Sequence, residues 1–253
     1  MDIRHLIDTT RMSTYQWFII GLACFLNALD GYDLVAMAFT SSAVSEEFAL
    51  TGAPLGWLLS AALIGIGLGS LFLAPLADRY GRRTLILVAL AIDLLGLTMS
   101  AFADSFTELL IWRVVTGIGV GGILACVTVV VSEFTNLHFR GLAISIYSAG
   151  YGLGASLCGV LAAQLIPEHG WRSIFAIGAA LTAASLVLTF FALPESVDYL
   201  RGRGEHDKIA AVARRIGITE EFEVREAGVE KQSVSIAELF RGPLRATTIQ
   251  LWI

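Results

Sequence analysis

The chain has 253 residues, 56% of them hydrophobic and only 15% charged, with a formal net charge of −5 and a mean hydropathy of +0.73. Soluble domains carry roughly 25% charged residues, so a deficit this deep over this length makes lipid the solvent. Cys24, Cys126 and Cys158 all lie in apolar runs without ligand-like spacing and read as small packing residues.

Crossing the hydrocarbon core takes roughly 20 mostly apolar residues. Six segments meet this, at 15–40, 53–76, 84–103, 106–132, 142–166 and 174–193, and backbone satisfaction in lipid makes them helices. The first is too long for the core of a signal peptide and reads as an uncleaved span. Fifteen of the 17 Lys and Arg residues fall at the N-terminus, in the second-to-third and fourth-to-fifth connections, or after the sixth span. This asymmetry predicts that both ends are cytoplasmic. Arg172 stands alone on the opposite side, beside Glu46, Glu47, Asp104 and Glu168, and Arg113 lies inside the fourth span. Tyr15, Trp17 and Trp171 sit near span ends as interfacial anchors.

The expected organisation is a six-helix bundle over 1–194, a polar cytoplasmic loop over 195–245, and over 246–253 the beginning of a seventh span, cut short by the end of the chain. Within the loop, 207–216 places Ile209, Val212, Ala213 and Ile216 on one helical face, and 233–240 reads as a second short helix. Acidic residues (Glu205, Asp207, Glu220, Glu221, Glu223) interleave with the basic ones there, which argues against nucleic-acid binding.

Three stretches carry a resemblance. The second-to-third connection runs Asp78-Arg79-Tyr80-Gly81-Arg82-Arg83; Gly81 permits a tight turn, and Asp78 can pair with arginines or a helix N-terminus. The fourth span begins Arg113-Val-Val-Thr-Gly117-Ile-Gly119-Val-Gly121, and Pro194-Glu195-Ser196 closes the sixth. Together these resemble the N-terminal half of a major facilitator superfamily transporter, with Ala74 where the loop signature usually has Gly. The resemblance implies an all-α fold of two inverted three-helix repeats. It also implies a gating loop at Asp78, Arg79, Gly81, Arg82 and Arg83, joined by Glu133 and Arg140, and a C-terminal six-helix half as partner. The fifth span, Gly150-Tyr-Gly152-Leu-Gly154, lacks the Gly-Pro pair of the superfamily's antiporters. Its glycines, like Gly65 with Gly69 and Gly117 with Gly121, are spaced for close helix packing.

The first span contains Asn27-Ala-Leu-Asp30-Gly31-Tyr32-Asp33. A charge at a helix centre costs about 2.5–3.5 kcal/mol even on the lenient insertion scale. Two acids three residues apart share a helix face and must face a cavity or a partner. Asp-Gly-Tyr-Asp resembles the first-helix motif of the aromatic acid:proton symporters, which implies import of an aromatic or related organic acid with protons. Helix rise places Asp30 and Arg113 at similar depth, about 10 and 12 Å below the outer surface of the core, so direct contact between them is expected.

On this reading Arg113 holds the substrate carboxylate or trades between it and Asp30, while Asp30 and Asp33 carry the proton. Proton affinity depends on burial and neighbouring charge, so substrate arrival would alter it. A static structural ion pair is the competing interpretation. Tyr32, Tyr147 and Tyr151 are candidates to stack on an aromatic substrate, or simply packing residues. Asp93, mid-membrane in the third span, calls for a partner on a neighbouring helix. The polar residues inside the spans include no nucleophile–base pair and no metal-ligand cluster, so neither enzyme chemistry nor a cofactor is expected. Another facilitator, carrying a sugar acid, metabolite or drug, stays open as an alternative, as does a half without transport of its own. The expected location is the plasma (inner) membrane.

Overall fold

A computed structural model describes residues 3–218. The expected helix at 233–240 and the beginning of a span at 246–253 lie outside the described residues. The described residues form ten helices in order: α1 (Ile3–Thr9), α2 (Thr14–Glu47), α3 (Ala53–Phe72), α4 (Ala74–Tyr80), α5 (Arg82–Ala101), α6 (Phe106–Phe134), α7 (Arg140–His169), α8 (Arg172–Ala192), α9 (Val197–Gly202) and α10 (His206–Arg215). Among the described residues, six helical segments are long and apolar enough to cross a membrane: α2, α3 with α4, α5, α6, α7 and α8.

Local chemistry sets the boundaries. Ser13 caps α2 through a capping box with Gln16, and Ser105 caps α6 by accepting from the Glu108 amide, so orphan amides at both helix starts are satisfied. The second span is broken, although its apolar pattern runs on to residue 76. Pro75 opens α4, and without an N–H it cannot continue the hydrogen-bond ladder of α3. Gly81, at φ 98°, then turns the chain into α5. In contrast, α2 runs seven residues past the expected end, to Glu47, because nothing in Ser41–Glu47 breaks a helix.

Neighbour relations have internal symmetry. Helix α2 packs along α7 as α6 packs along α3; α2 meets α8 as α6 meets α5, though less extensively; α5 and α8 pair with each other. Exchanging the first three spans for the last three leaves this pattern unchanged, as two inverted three-helix repeats require. Both long seams are made by glycine. A methyl group on Gly154 would overlap the carbonyl oxygen of Ala28 on α2, and one on Gly65 would overlap that of Val114 on α6, so backbones meet where side chains would otherwise intervene.

The apolar interior falls into two clusters. One, toward the arginine-rich face, gathers residues such as Ile20, Leu26, Ile86, Val127 and Val131, and extends to Ile7 of α1 and Ile209 and Val212 of α10. The other, toward the opposite face, gathers Met37, Leu97, Leu109, Trp171 and Phe175 among others. Along α2 the first cluster ends at Leu29 and the second begins at Tyr32; along α5 they are separated by Asp93. A polar layer divides the two.

Candidate functional site

Four ionisable side chains occupy that layer. Arg113, completely buried, donates through Nη1 to Asp33 Oδ1 at 2.6 Å and through Nη2 to the Asp33 carbonyl at 3.0 Å. Its guanidinium carbon lies 5.4 Å from the Phe175 ring centroid, a cation–π contact. The guanidinium thus grips α2 twice and rests on α8. Contact with Asp30, expected from depth alone, is not what forms: the partner is Asp33. One helical turn separates the two acids, about 4.5 Å along the axis, a difference finer than counting residues inward from span ends resolves.

Asp30 is 3% exposed, and its Oδ2 has no hydrogen-bond partner. Asp93 is 2% exposed; Thr182 of α8 donates to its Oδ2 at 3.3 Å, and its Oδ1 has no partner. Asp93 interacts electrostatically with Asp33, Asp30 and Arg113. The partner that the sequence left unnamed is therefore Thr182, together with the charge group on α2 and α6. Thr182 gave no signal of its own, since an isolated threonine is ordinary in an apolar helix.

The tyrosines separate. Tyr32 is buried and donates its hydroxyl to the Ile174 carbonyl at 2.8 Å, so its polar end is already engaged. Tyr147 is nearly buried and accepts from Thr128 at 3.3 Å, while Asn27 donates to its backbone carbonyl at 2.8 Å. Tyr151 is 38% exposed on α7, its backbone pressed against Gly31.

The second group of expected residues lies on the arginine-rich face. Arg82 spreads three ways: Nε lies 3.1 Å from Glu133 Oε1, Nη1 donates to Ser196 Oγ at 3.1 Å, and Nη2 lies 3.7 Å from the exposed carboxylate of Asp78. It ties the start of α5 to the end of α6 and to the segment after α8. Arg83 donates its amide to Glu195 Oε1 at 3.0 Å and its guanidinium to the Phe190 carbonyl at 2.6 Å. The Arg79 carbonyl accepts from Arg203 at 3.0 Å. Glu195, seen in the sequence only as part of a closing tripeptide, sits directly under Gly81 and at the N-terminus of α5, where carboxylates are favoured. Arg140 differs from the expectation that it joins this cluster. It pairs with Asp8 of α1 at 2.9 Å and fastens the N-terminal helix instead.

An open cavity of about 480 Å³ lies between the start of α2 and the α6–α7 connection, lined by Arg11, Trp17, Asn136 and Phe139 among others. It is remote from the polar layer. Among the described residues, no group of three or more His, Cys, Asp or Glu side chains is arranged to hold a metal ion.

Among the described residues, an all-helical, glycine-seamed pair of inverted repeats around a buried Arg–Asp layer defines a class of polytopic membrane protein. Residues 18–252 match the Major Facilitator Superfamily, and the chain belongs to that superfamily. Its multi-pass membrane character follows from that membership and from the six spans.

The whole chain aligns at 37% identity with the 4-hydroxybenzoate transporter PcaK of Pseudomonas aeruginosa, covering 58% of that protein. It aligns at 34% with the gallate transporter of Pseudomonas putida, covering 57%, and at 31% with the niacin transporter NiaP of Acinetobacter baylyi, covering 58%. The chain thus spans somewhat over half the length of these curated relatives, which are transporters by name and not enzymes. Among solved structures, the xylose:proton symporter XylE superposes with a TM-score of 0.74 at 24% identity, over 82% of this chain and 50% of that one. The likeness to XylE shows the fold.

Proposed function

We propose that this six-helix unit is part of a proton-coupled symporter that imports aromatic or related organic acids by alternating access, working against a second six-helix unit. Both its termini are cytoplasmic, and it resides in the plasma (inner) membrane. One observation carries the reading: a buried guanidinium bound to an aspartate in mid-bundle, with a second aspartate one turn away. The substrates for which the relatives are named, 4-hydroxybenzoate, gallate and niacin, support the choice of acid.

Because Arg113 is completely enclosed and held by Asp33, it can meet a substrate carboxylate only when that bond is released. A proton arriving on Asp33 removes the ionic half of the bond and frees the guanidinium for the anion. Substrate and proton then favour the same state, the reciprocal coupling that symport requires. At the arginine-rich face, the Arg82–Glu133–Ser196 contacts and the Gly81–Glu195 turn act as the latch that opens and closes access. Tyr147 and Tyr151 are the candidates for aromatic stacking; Tyr32, with its hydroxyl engaged, acts as a prop between α2 and α8.

The test is uptake of radiolabelled benzoate, hydroxybenzoates, a sugar acid and a neutral sugar into proton-energised vesicles, by this chain alone and co-expressed with a matching C-terminal half. Accumulation of aromatic acids by the paired halves, abolished by Asp33→Asn and by Arg113→Lys, is the expected result. No accumulation of any panel member by the paired halves would sink the aromatic-acid assignment.

A further inference from the structure

The polar layer holds more acidic than basic side chains. Asp30, Asp33 and Asp93 are each 2–3% exposed, and Arg113 is the sole guanidinium or ammonium among them. The helices around this layer supply no other cation at its depth: α4, which also packs on α5, carries Arg79 only in its last turn, at the arginine-rich face. On α8 the only basic residue is Arg172, at its far end and bound to Glu47; α6 has none besides Arg113; and α2 has none. Arg113 is committed to Asp33. Asp30 and Asp93 each retain a buried oxygen without a hydrogen-bond partner. An isolated ionised carboxylate in such surroundings costs far more than the neutral acid.

We infer that Asp93 is a proton-bearing member of this layer, so that the Asp33–Arg113 bonded state holds two protons, one on Asp30 and one on Asp93. Thr182 donates to Asp93 Oδ2, which leaves Oδ1 as the atom that bears the proton. The site lies on the α5–α8 pair, behind the α2–α6 pair that holds the Asp33–Arg113 bond. It extends the proton pathway from the first and fourth spans to the third and sixth. Its role in transport rests on the proton-coupled reading above, whereas the occupancy of Asp93 can be measured without transport.

The experiment is infrared spectroscopy of the full chain in lipid nanodiscs at neutral pH. The carbonyl stretch of a protonated carboxyl group stands apart from carboxylate bands and shifts on deuteration. Two such bands are expected. Asp93→Asn removes one and Asp30→Asn removes the other. Thr182→Val, which keeps the acid and deletes only its hydrogen bond, moves the Asp93 band and leaves the Asp30 band in place. Undiminished intensity in a folded Asp93→Asn protein overturns the inference, as does a spectrum of the Thr182→Val protein with no shifted band. Proton-driven uptake by the paired halves with no Asp93 band would sink this inference alone. An Asp93 band without proton-driven uptake would sink the symport reading and leave the proton site standing.

Discussion

Arg113 and Asp33 hold each other in a place where neither tolerates being alone. Truncating one partner of a buried pair costs about 3–5 kcal/mol because the other charge is stranded. Asp33→Ala should therefore lower the melting temperature of the purified protein markedly more than Asp33→Asn, which still offers Arg113 an amide oxygen. Equal effects from the two would mean that the charge carries the pair and the retained hydrogen bond adds little. That aspartates belong to a special layer was readable from the sequence, since a charge stands out in an apolar span. Which aspartate takes the arginine was not readable, because Asp30 and Asp33 share a face and differ by one turn. Glu195 stayed hidden for another reason: its contacts with Gly81 and Arg83 join segments more than 100 residues apart, and no local pattern records that.

Between helices, the glycine seams decide whether the bundle closes. Gly154 meets the Ala28 carbonyl, while Gly152, two residues earlier on the same helix, has nothing within 4 Å of where a Cβ would stand. Gly154→Ala should destabilise by about 1–3 kcal/mol through overpacking, and Gly152→Ala should be neutral or slightly favourable. Thermal melting monitored by size-exclusion chromatography checks the contrast, and equal losses would show that the seam is not tightly packed. At Gly81 two penalties combine, a φ of 98° and the Glu195 carboxylate under the missing side chain, so Gly81→Ala should loosen the Arg83–Glu195 contact. Faster proteolysis in the α4–α5 turn than in wild type is the expected readout. The number of spans and their inverted pairing were legible, because hydrophobic length and short motifs are enough for both. The break between α3 and α4 needed the backbone consequence of Pro75 to be weighed against an otherwise continuous apolar run.

For the molecule as a whole, the two faces are fastened differently. On the arginine-rich side, α1 and α10 share one apolar cluster with the spans, so those surface helices are packed parts of the bundle. On the other side a clasp of polar contacts joins three spans: Trp171 and Arg172 both donate to Glu47, at 2.6 and 2.9 Å, and Arg172 reaches the Ala103 carbonyl at 2.8 Å. Arg172 and Glu47 are 35% and 41% exposed, so the ion pair itself is worth about 0–1 kcal/mol. Glu47→Gln should accordingly shift the melting temperature only slightly, and less still in high salt. A large loss would mean that the clasp carries more than its exposure implies.

The span lengths have a consequence for the surrounding lipid. With 34 residues, α2 is about 51 Å long, far more than the roughly 30 Å of hydrocarbon, whereas α5 and α8, with 20 and 21 residues, come to about 30 and 32 Å. The long helix has length in reserve and absorbs a change of bilayer thickness by tilting or protruding. The short pair has none, and it is the pair that carries Asp93 and Thr182. A thicker membrane, richer in long acyl chains, would pull on this back wall first, so acyl-chain length becomes a control on the polar layer that acts with no ligand and no change of sequence.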